Sequence, residues 1–180
     1  MSDDDRLKWN KRYLTSAHSG KGPAQVLIDN LHLLPCHGKA LDLACGTGTN
    51  SIELARCGLE VYAWDISDVA LNNLGQNATA AKIQIISEQR DICARPPEPD
   101  RFDVILVSHF LDRKIIPHII DALRTDGLLY YQTWTRDKQD DAGPANQDYL
   151  LARNELLTLF KQLAIVAYRE DGRVGDPARG

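Results

Sequence analysis

Short apolar runs alternate along this chain with segments in which apolar residues recur at helical spacing. Six apolar runs predict strands: the first begins at Lys39, and the others are 59–64, 83–86, 102–107, 128–133 and 164–169. The segments that predict helices are 3–15, 23–34, 49–57, 68–80, 111–123 and 155–163. Because strands and helices alternate, we predict an α/β fold, a three-layer α/β/α sandwich around a mostly parallel sheet of six strands.

Two glycines interrupt the chain between the first predicted strand and the next predicted helix. Gly46 and Gly48 lack a Cβ, so the turn can adopt positive φ and its backbone can approach a ligand closely. The free N–H groups at the start of the following helix point toward the same place. The pattern therefore predicts a binding site for a polar ligand at this turn.

The residues around the turn argue against a dinucleotide ligand. A dinucleotide-binding turn has the form Gly-x-Gly-x-x-Gly, and Ser51 replaces its third glycine here. Asp42 lies inside the preceding strand, where a dehydrogenase keeps apolar residues, and it favours a ligand with an ammonium group. Asp65 ends the second strand 17 residues after Gly48, a spacing that suits a carboxylate binding a ribose diol.

Two motifs in this region resemble those of the class I S-adenosylmethionine-dependent methyltransferases. Asp-Leu-Ala-Cys-Gly-Thr-Gly at 42–48 is similar to their first motif, with Ala44 in place of the usual first glycine, and Trp-Asp-Ile-Ser at 64–67 is similar to their second. Residues 9–13 and 143–157 resemble the small tellurite-resistance type within this class. The resemblance spans roughly residues 9–170 and implies a Rossmann-like fold with S-adenosyl-L-methionine as cofactor.

The resemblance and the predicted topology together give the candidate site residues. Asp91 is implied to accept a hydrogen bond from the adenine amino group, and Ile66 and Ile92 are implied to flank the ring. The alternative for Asp91 is an acidic residue at a solvent-exposed strand end. The full set of predicted cofactor contacts is Trp9, Tyr13, Asp42, Ala44, Cys45, Gly46, Gly48, Asp65, Ile66, Asp91, Ile92 and Ser108.

Two segments are expected to cover this site. The resemblance implies that Trp9 and Tyr13, in an N-terminal helix within residues 1–20, form a lid over the methionine end of the cofactor. The alternative is a hydrophobic anchor for a terminal helix. Residues 136–146 are polar, contain Gly-Pro and lack periodicity, so we predict a loop long enough to cover a substrate, with the substrate side reaching residue 153.

Ser108 and His109 follow the fourth predicted strand. Ligands of open α/β sheets bind beyond the carboxyl ends of the strands, so both residues are expected beside the cofactor. Methyl transfer from a sulfonium depends mainly on positioning the nucleophile. A soft anion, such as a thiolate or a reduced selenium or tellurium species, needs no base, whereas His109 is the candidate catalytic base for an oxygen or nitrogen acceptor. The alternative for His109 is a half-buried imidazole with a structural hydrogen bond.

Composition narrows the choice of partners. The chain has 21 basic and 25 acidic residues, a net charge of −4 and no Lys/Arg-rich run, so no nucleic-acid partner is expected. It has no long apolar run, which predicts no membrane association, and its scattered cysteines favour a reducing, cytoplasmic location. His32, Cys36 and His37 lack a second pair of ligands at zinc spacing, so no metal site is predicted. We expect residues 1–180, 43% of them hydrophobic, to form a single domain.

The end of the chain departs from the resemblance, which calls for a seventh, antiparallel strand. Residues 172–180 are rich in glycine and proline instead. Either the sheet has six strands, or its last strand is absent and a partner covers the open edge of a monomer or homodimer.

These observations predict an S-adenosylmethionine-dependent methyltransferase that acts on a small-molecule acceptor, such as a thiol or a soft chalcogen. Two alternatives remain open. The first is a cofactor-binding but inactive scaffold or regulatory protein, motivated by the absent strand. The second is an NAD-dependent oxidoreductase, which Ser51 and Asp42 disfavour.

Overall fold

The computed structural model describes residues 3–15, 22–137 and 143–172. Its strands are β1 (Lys39–Leu43), β2 (Glu60–Asp65), β3 (Ile86–Gln89), β4 (Phe102–Ser108) and β5 (Leu123–Gln132). Its α-helices are α1 (Asp3–Thr15), α2 (Gln25–Asp29), α3 (Thr49–Arg56), α4 (Asp68–Ala81), α5 (Ile116–Ala122) and α6 (Glu155–Leu159). The strands form one parallel sheet in the order β3-β2-β1-β4-β5.

Helices cover both faces of the sheet. Successive side chains of a strand point to opposite faces, and β1 separates its apolar residues accordingly. Leu41 and Leu43 pack in a buried cluster with Ile119 of α5 and Phe160, which follows α6. Ala40 packs in a second cluster, whose members include Leu27 of α2 and Leu54 of α3. This arrangement confirms the predicted three-layer α/β/α fold.

The sheet order places a topological switch at β1. From β1 the chain adds β2 and β3 on one side, then returns to add β4 and β5 on the other. Leu43 is aligned with Trp64 of β2 and with Val107 of β4. The crevice at such a switch is where open α/β sheets bind ligands, and it lies at the carboxyl ends of β1 and β4.

Several boundaries differ from the prediction for local reasons. The third strand begins at Ile86 rather than at residue 83, because Lys82 adopts φ +58° and the Ile83 amide closes the end of α4 onto the Ala78 carbonyl. The fifth strand begins at Leu123, so the helix predicted over 111–123 is reduced to a 3-10 turn at Arg113–Ile115 and α5.

Two other predicted helices are shorter than expected. The segment 23–34 divides into α2 and a 3-10 turn, Leu31–Leu33. The predicted helix 155–163 ends at Leu159. Asn154 does not cap this helix through its side chain, and its backbone is left-handed (φ +60°). The carboxylate of Glu155 instead accepts a hydrogen bond from the Ala152 amide.

The predicted sixth strand, 164–169, is wrong. Within the described part of the chain these residues belong to no sheet, and Ile165, Val166 and Tyr168 are exposed. Apolar alternation marks a segment that is able to form a strand, but the strand also needs a neighbouring edge, which the pattern does not report. Most of the Gly/Pro-rich segment 172–180 lies outside the described residues. Among the helices that are described, none combines the length and apolar character needed to cross a bilayer.

Candidate cofactor and acceptor site

The turn after β1 has a left-handed backbone at three positions. Ala44, Gly46 and Gly48 have φ values of +58°, +55° and +80°. A Cβ built on Gly48 would lie 2.5 Å from Cγ of Leu74, so glycine is required there by both conformation and space. Ala44 occupies the position of the family's usual first glycine, and its positive φ gives the physical reason for that preference.

Asp42, in β1 just before this turn, is buried, with 1% of its surface exposed. Its Oδ2 accepts a hydrogen bond of 2.5 Å from the hydroxyl of Ser51. Its Oδ1 is also buried and has no hydrogen-bond partner among the described residues. Burial raises the pKa of this carboxyl to about 7 although the Ser51 hydrogen bond opposes the shift. The carboxylate therefore offers one oxygen to a cationic donor.

Asp65 lies beside the same turn and is also buried. Its Oδ2 accepts from the amide of Gly46 and its Oδ1 from the amide of Ser67, both at 2.8 Å. Burial raises its pKa, against the effect of these two hydrogen bonds. The charge of Asp65 in turn contributes to the raised pKa of Asp42. The predicted pair of carboxylates is thus brought together around Gly46.

The thiol of Cys45 is buried in the same turn. Its backbone amide extends the parallel ladder by donating to the Trp64 carbonyl at 3.0 Å. Burial raises the pKa of Cys45, and the nearby carboxylates Asp42 and Asp65 act in the same direction. The thiol therefore stays protonated at neutral pH and is a packing residue rather than a nucleophile.

The N-terminal helix α1 lies over the glycine turn. A Cβ on Gly46 would lie 2.8 Å from the phenolic oxygen of Tyr13, so the tyrosine hydroxyl lies directly above this glycine. The ring of Trp9 lies 6.0 Å from that of Tyr13. Burial, together with the charge of Asp65, raises the pKa of Tyr13. Of the two residues predicted to form a lid, Tyr13 therefore lies at the turn and Trp9 lies beside Tyr13, while residues 16–20 lie outside the described part of the chain.

The predicted adenine contacts lie after β2 and β3. Ile66 is half-buried, and the carbonyl of Ile66 accepts a hydrogen bond from the side chain of Gln89 at 3.1 Å. Asp91 is half-buried, and its Oδ1 accepts from the amides of Cys93 and Ala94. Ile92 is 2% exposed and packs in the core cluster.

Arg90, which the sequence did not single out, holds this corner in place. Its guanidinium lies 3.8 Å from the ring centroid of the buried Trp64. It also donates to the carbonyls of Arg95 and Pro96 and to the carboxylate of Glu98. A cation that is 4% exposed needs such partners, and here they fix the loop that follows Asp91.

The carboxyl ends of β4 and β5 form the other side of the crevice. Ser108 is half-buried and is aligned with Gln132. His109 has φ +58° and is exposed, not half-buried as the structural alternative expected. Its ring stacks on Trp134 at 5.1 Å between centroids, and a Cβ on Gly143 would lie 2.6 Å from the same indole. This edge is thus an aromatic surface rather than a cluster of charges.

Arg113 fixes the segment that follows the substrate-side loop. It forms a two-pronged ion pair with the Glu155 carboxylate, at 2.5 and 3.0 Å. It also donates to the carbonyls of Asp148 and Leu150, at 2.6 and 3.0 Å. Residues 143–146 of the predicted loop belong to no helix or strand, residues 138–142 lie outside the described part of the chain, and a role in covering a substrate stays a prediction. The described residues contain no group of three or more His, Cys, Asp or Glu side chains able to hold a metal ion.

The fold and the site define the class of protein. A parallel sheet with a topological switch, a glycine turn after β1 and an acidic residue ending β2 are the features of class I S-adenosylmethionine-dependent methyltransferases. A crystal structure of such a methyltransferase from Aquifex aeolicus aligns with 90% of this chain and 87% of its own, with a TM-score of 0.63 and 14% identity, which supports the fold.

Within this class, the model of the family described as "Tellurite resistance protein TehB" matches residues 4–177. The chain belongs to this family. The Haemophilus influenzae protein described as "Probable S-adenosyl-L-methionine-dependent methyltransferase TehB" is 28% identical to it over 170 residues, 91% of this chain and 57% of that protein. The crystal structure of TehB from Haemophilus influenzae aligns with 92% of this chain and 58% of its own, with 25% identity and a TM-score of 0.68. The chain thus spans little more than half the length of these relatives.

Proposed function

We propose that this chain binds S-adenosylmethionine at the turn after β1 and transfers its methyl group to a small acceptor at the carboxyl ends of β4 and β5. The observation that carries the proposal is the buried Asp42, whose Oδ1 has no hydrogen-bond partner among the described residues. A buried carboxylate is costly unless a cation pairs with it, and the ammonium of the cofactor's methionine part supplies both charge and hydrogen-bond donors.

The other residues of the turn fit the rest of the cofactor. The left-handed Gly46 has no side chain, and its amide donates to the Asp65 carboxylate beside it. Each oxygen of Asp65 accepts one amide hydrogen bond and, having two lone pairs, retains capacity for a ribose hydroxyl. Ile66, Asp91 and Ile92 are our candidates for contacts with adenine, and Ser108 is our candidate on the side facing β4.

The bound cofactor supplies an electrophilic methyl group on a sulfonium. The task of the chain's residues is then to hold an acceptor in line with that group and to exclude water. His109 and Trp134 present a flat aromatic surface on the acceptor side. This surface suits a neutral or soft acceptor better than a strongly hydrated one, so we propose a thiol or a soft chalcogen species as the acceptor class.

Calorimetric titration with S-adenosylhomocysteine and with NAD tests the cofactor assignment. We expect S-adenosylhomocysteine to bind and to raise the melting temperature, and NAD to do neither. Binding of NAD alone would contradict the proposal.

A second assay tests transfer, with labelled S-adenosylmethionine and thiol, selenite, tellurite and phenol acceptors. We expect label in a thiol or chalcogen product. Normal cofactor binding without transfer to any acceptor would favour the inactive scaffold instead.

The assembly and location are also proposals. We propose a cytoplasmic monomer or homodimer, with a partner segment pairing along β5, the last strand of the sheet within the described residues. Ile165, Val166 and Tyr168, in the segment predicted as the sixth strand, are exposed. The apolar surface of this region is therefore not fully buried. Light scattering during size-exclusion chromatography measures the oligomeric state.

A further inference from the structure

Helix α1 docks onto the start of α4 through Asn10. The Asn10 side chain donates to Oδ1 of Asp68 at 2.8 Å and accepts from the hydroxyl of Ser67 at 2.6 Å. Both groups of the amide are therefore used, one as donor and one as acceptor. Asn10 and Tyr13 are three residues apart in one helix and so lie on the same face.

Ser67 connects this contact to the cofactor site. It caps α4 by accepting from the Ala70 amide at 3.1 Å, and its hydroxyl proton is donated to Asn10. Its own amide donates to Oδ1 of Asp65 at 2.8 Å. A chain of hydrogen bonds thus leads from α1 to the carboxylate proposed to bind ribose.

Apolar packing contributes little to the docking of α1. None of its residues is buried, and Leu7 and Leu14 are 56% and 73% exposed. Arg6 lies 3.7 Å from Asp68, but this ion pair is partly exposed and therefore weak. Among the described contacts, the Asn10 hydrogen bonds and the half-buried Trp9 and Tyr13 hold the helix.

We propose that Asn10 is a latch, a positioning residue that holds Tyr13 over Gly46 and so slows the release of the bound cofactor. The inference rests on the proposed function, because it assumes that the cofactor lies at this turn. Asn10 itself touches Ser67 and Asp68 and acts on the cofactor only through the position of α1.

The dissociation rate of S-adenosylhomocysteine, measured by rapid dilution of the complex, tests the latch. Asn10→Ala removes two hydrogen bonds, one of them to a carboxylate, which corresponds to an increase of about tenfold or more in that rate. The association rate should not fall, because an open helix does not obstruct entry. Lys11→Ala, at an exposed position of the same helix, is the matched control and should release the ligand at the wild-type rate.

An exchange of the two partners separates latching from general damage. Asn10→Asp alone places two carboxylates together and should speed release as Asn10→Ala does. Adding Asp68→Asn exchanges the two side chains, so that the amide at position 68 can donate to the carboxylate at position 10. The dissociation rate of the double variant should then return to within about threefold of the wild-type rate. A role confined to helix stability would not be rescued by this exchange.

Trypsin cleavage within α1 gives a readout that does not need the cofactor. The helix contains Arg6, Lys8, Lys11 and Arg12, and we expect it to be cut faster in Asn10→Ala than in wild type or in an Asn72→Ala control on α4. Equal cleavage and an unchanged dissociation rate in Asn10→Ala would overturn the latch. Failure of wild type to bind S-adenosylhomocysteine would overturn the proposed function, and the cleavage rates would still decide whether Asn10 holds α1.

Discussion

The turn after β1 and the carboxyl end of β5 face the same crevice, but different contacts support them. At the turn, Asp42 meets Ser51 nine residues later, and Asp65 meets Ser67 two residues later and Gly46 nineteen residues earlier. At the acceptor side, Arg113 reaches Asp148 and Glu155, 35 and 42 residues away. The two carboxylates of the cofactor side are therefore held by contacts at short sequence separation, although α1 docks there from farther away through Asn10. The acceptor side depends on how distant segments pack.

This difference predicts that the two sides respond separately to substitution. Changes at the turn should abolish cofactor binding whatever happens to the loop. Changes at the loop should leave cofactor binding almost intact, because Arg113 and Glu155 make none of the described contacts at the turn.

The largest effect is expected from Gly46→Val. A Cβ at this position would lie 2.8 Å from the Tyr13 hydroxyl, and a β-branched residue resists φ +55°. We expect no measurable S-adenosylhomocysteine binding by calorimetry while the far-ultraviolet circular dichroism is retained. Gly143→Ala is the matched control, since its Cβ would press on Trp134 instead, and it should bind the ligand normally. Binding by a folded Gly46→Val variant would place the ligand elsewhere.

Asp65→Ala should weaken the affinity for S-adenosylhomocysteine by about 2 kcal/mol or more, roughly 30-fold, because it removes charge-assisted hydrogen bonds. The variant should remain folded. Asp121→Ala removes an exposed carboxylate on α5 and should bind like wild type. Equal affinities of the Asp65 variant and this control would show that the carboxylate does not bind ribose.

Arg113→Ala should lower the free energy of unfolding by about 2 kcal/mol, because it leaves a partly buried Glu155 carboxylate without its ion pair. The hydrogen bond from Arg113 lowers the pKa of Glu155. The stabilisation is therefore present above the ordinary glutamate pKa and is lost as pH falls through the lowered value. Urea unfolding measures this effect, with exposed Lys114→Ala as control. The affinity for S-adenosylhomocysteine should change less than about twofold. A much larger change would mean that the two sides are coupled.

His109→Ala should have the smallest effect, a change in turnover of less than about tenfold with a thiol or selenium acceptor, since general-base catalysis typically supplies about 100-fold or more. The pH dependence of the rate should then follow the ionisation of the acceptor in both proteins. A loss of about 100-fold with every acceptor, accompanied by a wild-type decline below about pH 6.5, would identify His109 as a base.

The sequence predicted the conformation of the turn after β1 because its determinants are local, and the cofactor contacts assigned to the turn stay a prediction. Gly46 and Gly48 were expected to allow positive φ, and both adopt it. The sequence-based prediction missed the role of Ser51, which was considered only as a departure from glycine, whereas its hydroxyl donates to Asp42. A polar residue in the first turn of α3, opposite a buried acid, was the available signal.

The acceptor side was predicted less completely for the opposite reason. Residues 164–169 have the pattern of a strand, but no described strand pairs with them. The stack of His109 on Trp134 depends on the register between β4 and β5, which places Ser108 opposite Gln132. No local sequence motif specifies that register or the contacts of Arg113 with Asp148 and Glu155.

Asp42→Asn should show how much the buried charge of Asp42 destabilises the folded protein in the absence of a ligand. Because burial raises the pKa of Asp42 to about 7, its contribution to stability is complete below the unfolded pKa and is lost as pH rises through 7. Above that pH the variant should therefore have a higher melting temperature than the wild-type protein in the absence of cofactor. A lower melting temperature at every pH would argue that the charge is already paired.

The most direct test of the central claim is the affinity for S-adenosylhomocysteine across about pH 5.5 to 8.5 in wild type and Asp42→Asn. Since the ammonium pairs with the ionised carboxylate, wild-type affinity should rise by about tenfold or more over this range. The variant should bind at least about tenfold more weakly at the upper end. Equal affinities with parallel pH profiles would contradict the assignment of Asp42 as the ammonium-binding carboxylate.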